Sequence, residues 1–346
     1  MFVSKNLVTP LGLAATAVLA LGVVGASPAG ASPSAAGATV IGDTLVITGG
    51  NGPDRVTVDF RDASSVGVEL DGDRQSFERR AFRVISVSLG SGDDRFDMSS
   101  GGSASADVPL HVDAGNGDDT VVGGAGADTI VGGNGDDNLR GGAGADVLFG
   151  DNGDDFADGG VGTDTEVLGA GDDVAGWTPG EGSDAVFGQS GSDTLAFDGS
   201  GGDEVMSLSR NGTDAVFLRS PGAVRMDLDG VERVEANALG GVDAVTINDL
   251  RGTDVQDTTV DLSSGGTGDG KADTVVVNGS PAADDVAVGV DSGAVDIRGL
   301  QPLIRIKGSE SIDRLHLNTL GGKDQVRVSD AAKSLIGILV DFGADQ

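Results

Sequence analysis

The sequence has no cysteine, no tyrosine, a single tryptophan (Trp177) and only two histidines (His111 and His316) in 346 residues. Without cysteine there is no disulfide, no thiol nucleophile and no thiolate metal site. The two histidines stand far apart in strand-like runs, which reads as packing or surface rather than catalysis. Neither a G-x-S-x-G nor an H-E-x-x-H pattern occurs. Positive charge is scarce: 22 Lys and Arg face 55 Asp and Glu, a formal net charge of −33. So negative a chain disfavours nucleic acid as a partner and favours cations. Glutamate is scarce as well, supplying eight of the acidic residues against 47 aspartates. Aspartate, with its short carboxylate, suits turns, whereas glutamate suits helices. Such acidity often brings disorder. Here 38% of residues are hydrophobic and recur in short β-branched runs, which speaks for a packed β structure.

Long apolar runs are missing except near the N-terminus. Lys5 precedes an apolar run at 11–26, and Ala29-Gly30-Ala31 follows as a small-x-small cleavage site. The pattern predicts a secretory signal peptide over 1–31, cut after Ala31, and a secreted, extracellular mature chain. The run is shorter than the ~20 residues a membrane span needs. No other stretch is apolar enough, so no span is expected in the mature form, and with no cysteine after the run a lipoprotein is excluded.

What the chain has instead is a period. Asp119, Asp128, Asp137, Asp146, Asp155, Asp164 and Asp173 stand nine residues apart, followed by Asp184 and Asp193. Around them the sequence reads GGAGADTIV at 123–131, GGNGDDNLR at 132–140 and GGAGADVLF at 141–149. In each unit the first six residues predict a tight glycine-dependent turn and the last three a short strand. The middle strand residue points inward: Val121, Ile130, Leu139, Leu148, Val186 and Leu195. Two units make one coil of eighteen residues, so Asp128 is expected over Asp146 and Asp137 over Asp155, at the ~4.8 Å spacing of paired strands. Bare carboxylates so placed repel, and a divalent cation between turns reverses the sign. A nonapeptide period of glycine, aspartate and one aliphatic residue marks a stacked parallel β structure that holds Ca²⁺.

The flanks are looser. The segment 32–112 carries alternating strands at 44–47, 55–58 and 84–87 and two loose motif copies, GGNGPD at 49–54 and GSGDD at 90–94. The segment 199–346 places an aspartate turn before valine-rich runs at 243–247, 273–277, 285–288 and 324–328. No segment shows sustained helical periodicity. The expected architecture is all-β: a signal peptide at 1–31, a degenerate β-solenoid segment at 32–112, a calcium-binding β-roll at 113–198 and a second degenerate β-solenoid segment at 199–346.

Over 113–198 the sequence resembles the RTX family, the hemolysin-type calcium-binding repeat with consensus GGxGxDxUx. The stretches at 177–184, 226–233 and 269–273 are similar to secreted actinobacterial RTX-like proteins. The resemblance implies a right-handed parallel β-roll with several Ca²⁺ ions, one between successive turns on each side. It also implies their ligands. One set would be Gly123, Ala125 and Asp128 with Gly142, Gly144 and Asp146. The next would be Gly132, Asn134 and Asp137 with Asp151, Gly153 and Asp155. Asp119, Asp164, Asp173, Asp184 and Asp193 would serve in the remaining turns.

The chain departs from the pattern in places. Glu166 takes an inward aliphatic position, Ala157 and Ala175 fill two others thinly, and Trp177 and Thr178 interrupt the period. Family members often leave through a type I exporter with a C-terminal signal, whereas an N-terminal signal is expected here. The last residues, Phe342-Gly343-Ala344-Asp345-Gln346, resemble the start of another aspartate turn, which reads as a shortened relative or a fragment. Other motifs are weak. G-x4-G-K at 265–271 lacks the following Ser/Thr and reads as a turn, Asn211-Gly212-Thr213 reads as a turn, and Trp177 reads as a core or turn anchor rather than a sugar platform.

The expected function is that of a non-enzymatic, secreted, calcium-binding repeat protein that folds on Ca²⁺ outside the cell, with a structural or adhesive role toward a cell-envelope or matrix glycan or protein. The alternatives are a Ca²⁺-dependent polysaccharide-acting enzyme on a β-helix, with Arg305, Lys307 or Lys323 as proton acceptor, and the folding module of a larger toxin or hydrolase.

Overall fold

The structure is a computed structural model that describes residues 36–60, 64–98 and 108–343. The expected signal peptide lies outside the described residues.

Two 15-stranded sheets face each other across the core. The chain alternates between them, and each strand of the stack pairs in parallel with the strand one coil earlier. In the strict zone Ile130 pairs with Leu148, and Leu139 with Ala157, a shift of eighteen residues on either sheet. The shift is 20 at the interruption, where Thr165 pairs with Ala185, and 40 where Leu45 pairs with Ile85. Coil length therefore varies while rung register is kept.

The inward column is as the alternation demands. Val121, Ile130, Leu139, Leu148, Val186 and Leu195 are fully buried. The strands are longer than the three residues expected, however. Thr129–Asn134 and Asn138–Gly144 run on into the next turn, because the turns themselves pair with their neighbours.

Close stacking of turns fixes where glycine is required. Gly153 has φ +136°, and a Cβ built on it would lie 1.9 Å from the carbonyl oxygen of Gly135, in the turn beneath. That carbonyl belongs to backbone pinned by Gly135 N–H donating to the Asn152 carbonyl at 2.9 Å, so neither side can yield. Gly153→Ala is expected to cost about 2–5 kcal/mol, from backbone strain plus overpacking. Gly201→Ala, at a glycine with open space around it, is the neutral control. Denaturant melts in saturating Ca²⁺ check both; equal midpoints for the two variants would contradict the stacking.

The flanks keep the parallel stack but insert antiparallel excursions that the sequence pattern does not reveal. In one sheet Val205–Asn211, Asp214–Ser220 and Val224–Asp229 form a meander. Its last strand pairs with Ala185–Ser190 and its first with Ala244–Ile247, so the chain overshoots and returns. Asp285–Asp291, Ala294–Arg298 and Leu303–Lys307 repeat the device in the other sheet. Arg55–Asp59, Ser65–Leu70 and Asp73–Glu78 form a third meander at that sheet's edge. Each has a tight turn with a glycine at positive φ: Gly212, Gly293 or Gly72. A short helix, Asp330–Leu335, is capped by the Ser329 side chain. The 265–271 stretch is a turn between Ser263–Ser264 and Thr267–Gly268 followed by further loop, with no helix after it.

The departures at 157–178 are linked. Glu166 sits between Leu148 and Val186 in the column of one sheet, while the small Ala157 and Ala175 pair with each other in the facing sheet. Parallel pairing is cut short beyond Ala175, and the freed Gly159 N–H donates to Glu166 Oε1 at 2.7 Å. Burial pushes the Glu166 carboxyl well above the usual carboxylate range, against the one backbone hydrogen bond from Gly159. Trp177 is buried, stacks on Phe197 at 4.1 Å and donates Nε1–H to the Gly182 carbonyl at 2.9 Å. It is a core anchor that closes the enlarged turn.

Candidate metal centre

The turn aspartates form ladders joined by one repeated hydrogen bond. On one side of the roll, the backbone N–H of each ladder residue donates to Oδ1 of the aspartate one coil later. Asp119 donates to Asp137 at 2.8 Å, Asp137 to Asp155 at 2.8 Å, Asp155 to Asp173 at 2.7 Å and Asp173 to Asp193 at 3.0 Å. On the other side Asp128 donates to Asp146, Asp146 to Asp164 and Asp164 to Asp184, each at 2.8 Å. All nine aspartates are buried.

One oxygen of each carboxylate is thus used, and in seven of the nine the other is left over. Oδ2 of Asp119, Asp137, Asp146, Asp155, Asp164, Asp173 and Asp193 is buried and accepts no hydrogen bond. Asp128 differs: its Oδ2 accepts the Gly124 N–H at 2.8 Å. A glycine at the head of each turn makes room for that oxygen. A Cβ on Gly132 would lie 2.2 Å from Asp137 Oδ2, and one on Gly150 would lie 2.3 Å from Asp155 Oδ2. Rows of buried, unsatisfied anionic oxygen cost free energy unless something positive meets them.

The remaining expected positions lie in the same stacked turns. Gly142 and Gly144 sit over the Gly124 and Gly126 carbonyls, and Gly135 carries Gly153 above it. Gly133 and Asn134 pair with Asp151 and Asn152. Gly123, Ala125, Gly132 and Asp151 belong to these turns. Asp151 adopts φ +74° where its neighbours in the column use glycine. Among the described residues no group of three or more acidic or imidazole side chains forms a ready-made cation cage. The donor set that fits is mixed: one carboxylate oxygen per turn plus carbonyls, all hard oxygen, as Ca²⁺ prefers.

Electrostatics agree with this fit. Burial, set against one backbone hydrogen bond and increased by neighbouring aspartates, pushes Asp137, Asp146 and Asp193 up to about 7. Asp119 and Asp155 rise to about 6 and Asp184 to about 7 for the same reasons, and burial raises Asp128 to about 6. The ordinary aspartate value is ~3.9. The metal-free fold therefore binds protons more tightly than the unfolded chain. Its stability is greatest below about pH 4 and falls as pH rises through the range from about 4 to about 7. Metal-free protein is expected to show more β signal at pH 5.5 than at pH 7.5, and Ca²⁺ addition near pH 6 should release protons. Circular dichroism and unbuffered titration check this; a metal-free signal that rises with pH would contradict it.

The ladder runs further than the nine-residue period indicates. Asp54 N–H donates to Asp94 Oδ1 and Asp94 N–H to Asp119 Oδ1, both at 2.7 Å, and Asp193 N–H donates to Glu232 Oε2 at 2.8 Å. A separate ladder links Glu204 to Asp243 and Asp243 to Asp273 at 2.8 Å and Asp273 to Asp313 at 3.1 Å, and Asp284 donates to Asp324 at 2.9 Å. The sequence signal for it is an acidic residue just before a strand, recurring at about 40 residues: Asp54 and Asp94, Asp273 and Asp313, Asp284 and Asp324. His111 and His316 lie on well-separated strands of one sheet and are not brought together.

The fold and these turns define a parallel β-roll with carboxylate-lined, glycine-stacked turns. The model of the RTX calcium-binding nonapeptide repeat matches four times, at 113–148, 131–166, 140–175 and 180–195. The chain thus carries RTX repeats, a calcium-binding class. No curated protein matches it.

Proposed function

We propose that this chain is a secreted calcium-binding repeat protein whose repeat zone folds when Ca²⁺ enters between stacked turns, and that it serves a structural or adhesive role outside the cell. The observation that carries the reading is the set of seven buried, unpartnered Oδ2 atoms between Asp119 and Asp193. Ca²⁺ would supply positive charge shared by six to eight hard oxygens. Gly123, Ala125 and Asp128 with Gly142, Gly144 and Asp146 would hold one ion. Gly132, Asn134 and Asp137 with Asp151, Gly153 and Asp155 would hold the next. The chain's own part is to stack the turns in register, to spend Oδ1 on the rung beneath and to keep Oδ2 free. A chain with an N-terminal signal would cross the membrane unfolded where Ca²⁺ is scarce and lock where it is abundant.

The enzymatic alternative finds less support. Arg305 is tied to Asp296 at 3.1 Å, which raises its pKa and makes it a poor proton acceptor. Its strand, Leu303–Lys307, is separated from Gln325–Val328, the strand after Lys323, by two others. The test of the proposal is a Ca²⁺ titration of chelated full-length chain. Bound calcium and far-UV β signal are expected to rise together over the same range; binding without any gain in β signal would overturn metal-driven folding.

A further inference from the structure

We infer that the chain holds a divalent cation outside its RTX repeats, at Asp243, Asp269 and Asp273, between the turns at 238–243 and 268–273. The inference rests on the reading that cations neutralise these ladders, and it extends that reading to a place the repeat pattern does not cover.

The ladder from Glu204 to Asp313 has the wiring of the RTX turns, yet its rungs are treated differently. Glu204 is fully buried and is met by a protein cation: Arg219 Nε donates to its Oε1 at 2.9 Å, and Arg219 Nη2 binds the same oxygen. Arg219 comes from the antiparallel meander and also lies 5.3 Å over the Trp177 ring, so it is held from two sides. One rung on, Asp243 is equally enclosed, at 2% exposure, and has no such partner. Its Oδ1 is used by Glu204 N–H, and its Oδ2 is buried without a hydrogen bond.

Around Asp243 the charge is negative. Asp273, Glu204 and Asp269 all act on its carboxylate with like charge. Asp313, Asp269 and Glu310 act likewise on Asp273. Asp269 reaches back onto the earlier turn, where its Oδ2 accepts the Gly241 N–H at 3.0 Å. Glu310 repeats that reach one coil later, its Oε2 accepting the Gly270 N–H at 2.7 Å. The one basic residue of the two turns, Lys271, forms no ion pair among the described residues; its N–H donates to Asp269 Oδ1 at 2.7 Å. Asp269 occupies the second turn position, where the RTX units at 123–149 have glycine. The donor set thus differs from the RTX one: three side-chain carboxylates replace one carboxylate per turn, with turn carbonyls completing the shell. These carboxylates do not stand as a ready-made cage, so the ion would draw them together. A hard divalent cation such as Ca²⁺ suits such oxygens. Its role would be to fasten the coil after the meander, as Arg219 fastens the coil before it.

The test measures bound Ca²⁺ by equilibrium dialysis on the full chain and on three variants. Asp243→Asn and Asp269→Asn are each expected to lose one equivalent, or to weaken one class of site at least tenfold, while the Ca²⁺-dependent β signal of the RTX zone keeps its midpoint. Asp269 lies in a half-buried turn, so its variant keeps the test valid should Asp243→Asn fail to fold. Asp137→Asn serves as the comparison. If it loses calcium while Asp269→Asn matches wild type in stoichiometry and affinity, the site at Asp243 is refuted and the RTX reading stands. If wild type binds no calcium, both fall.

Discussion

Chelation at neutral pH is expected to unfold the repeat zone, and restoring Ca²⁺ to refold it. The reason is a balance of charge against a thin core. From Thr120 to Gly162 each strand buries a single inward side chain, in one of them only Ala157. Against this, neighbouring ladder carboxylates stand one rung apart. Two bare charges at ~5 Å repel by roughly 1 kcal/mol in water and about 3–4 kcal/mol at an effective dielectric of 20. The ladder from Asp119 to Asp193 alone has four such steps, and that from Asp128 to Asp184 three. Their sum rivals the roughly 5–15 kcal/mol that a whole domain has to spare. Occupied sites reverse the balance. Each contributes about 2.7 kcal/mol when free Ca²⁺ exceeds its Kd a hundredfold. Loss of the repeat zone's share of the far-UV β signal in excess chelator is the expected result. A signal and melting temperature unchanged by chelator would show that the core suffices alone.

Asp137→Asn is expected to act in opposite directions with and without the metal. Asp137 lies between Asp119 and Asp155, and burial together with both neighbours pushes its pKa upward. Asparagine keeps an oxygen to accept the Asp119 N–H but removes a buried charge and two like-charge contacts. Metal-free protein should therefore gain about 1–3 kcal/mol. In Ca²⁺ the same change would remove an oxygen from the proposed ion-binding set. Affinity there should fall at least tenfold, each tenfold being about 1.4 kcal/mol. Denaturation midpoints in chelator and in Ca²⁺ test the pair; a shift of the same sign in both conditions would mean that Asp137 is a structural hydrogen-bond acceptor and nothing more.

Much of the fold and of the site is legible in the amino-acid sequence. The nine-residue period dictates the eighteen-residue coil, the inward column and the pairing of Asp128 with Asp146, because strand alternation and rung spacing leave little freedom. Glu166 stands out as an exception, but its cause does not: the Gly159 N–H loses a rung partner only because Trp177 and Thr178 widen the next turn. The meanders are hidden for another reason. A strand that overshoots and returns has the same alternation as one that stays in order, so Val205–Asn211 and Val224–Asp229 read alike until pairing distinguishes them. The continuation of the same hydrogen-bond pattern through Asp94, Asp243 and Asp324 is masked because its interval lengthens from eighteen residues to 25, 39 and 40 while the hydrogen bond stays the same.

The most direct measurement is amide hydrogen exchange at Asp119, Asp128, Asp137, Asp146 and Asp155, whose N–H groups bind the next carboxylate. With Ca²⁺ these amides should be strongly protected, and in chelator at pH 7.5 they should exchange at the rate of unstructured chain. Protection that is the same in both conditions would contradict the claim that cations between the rungs are what allow the ladder to stand.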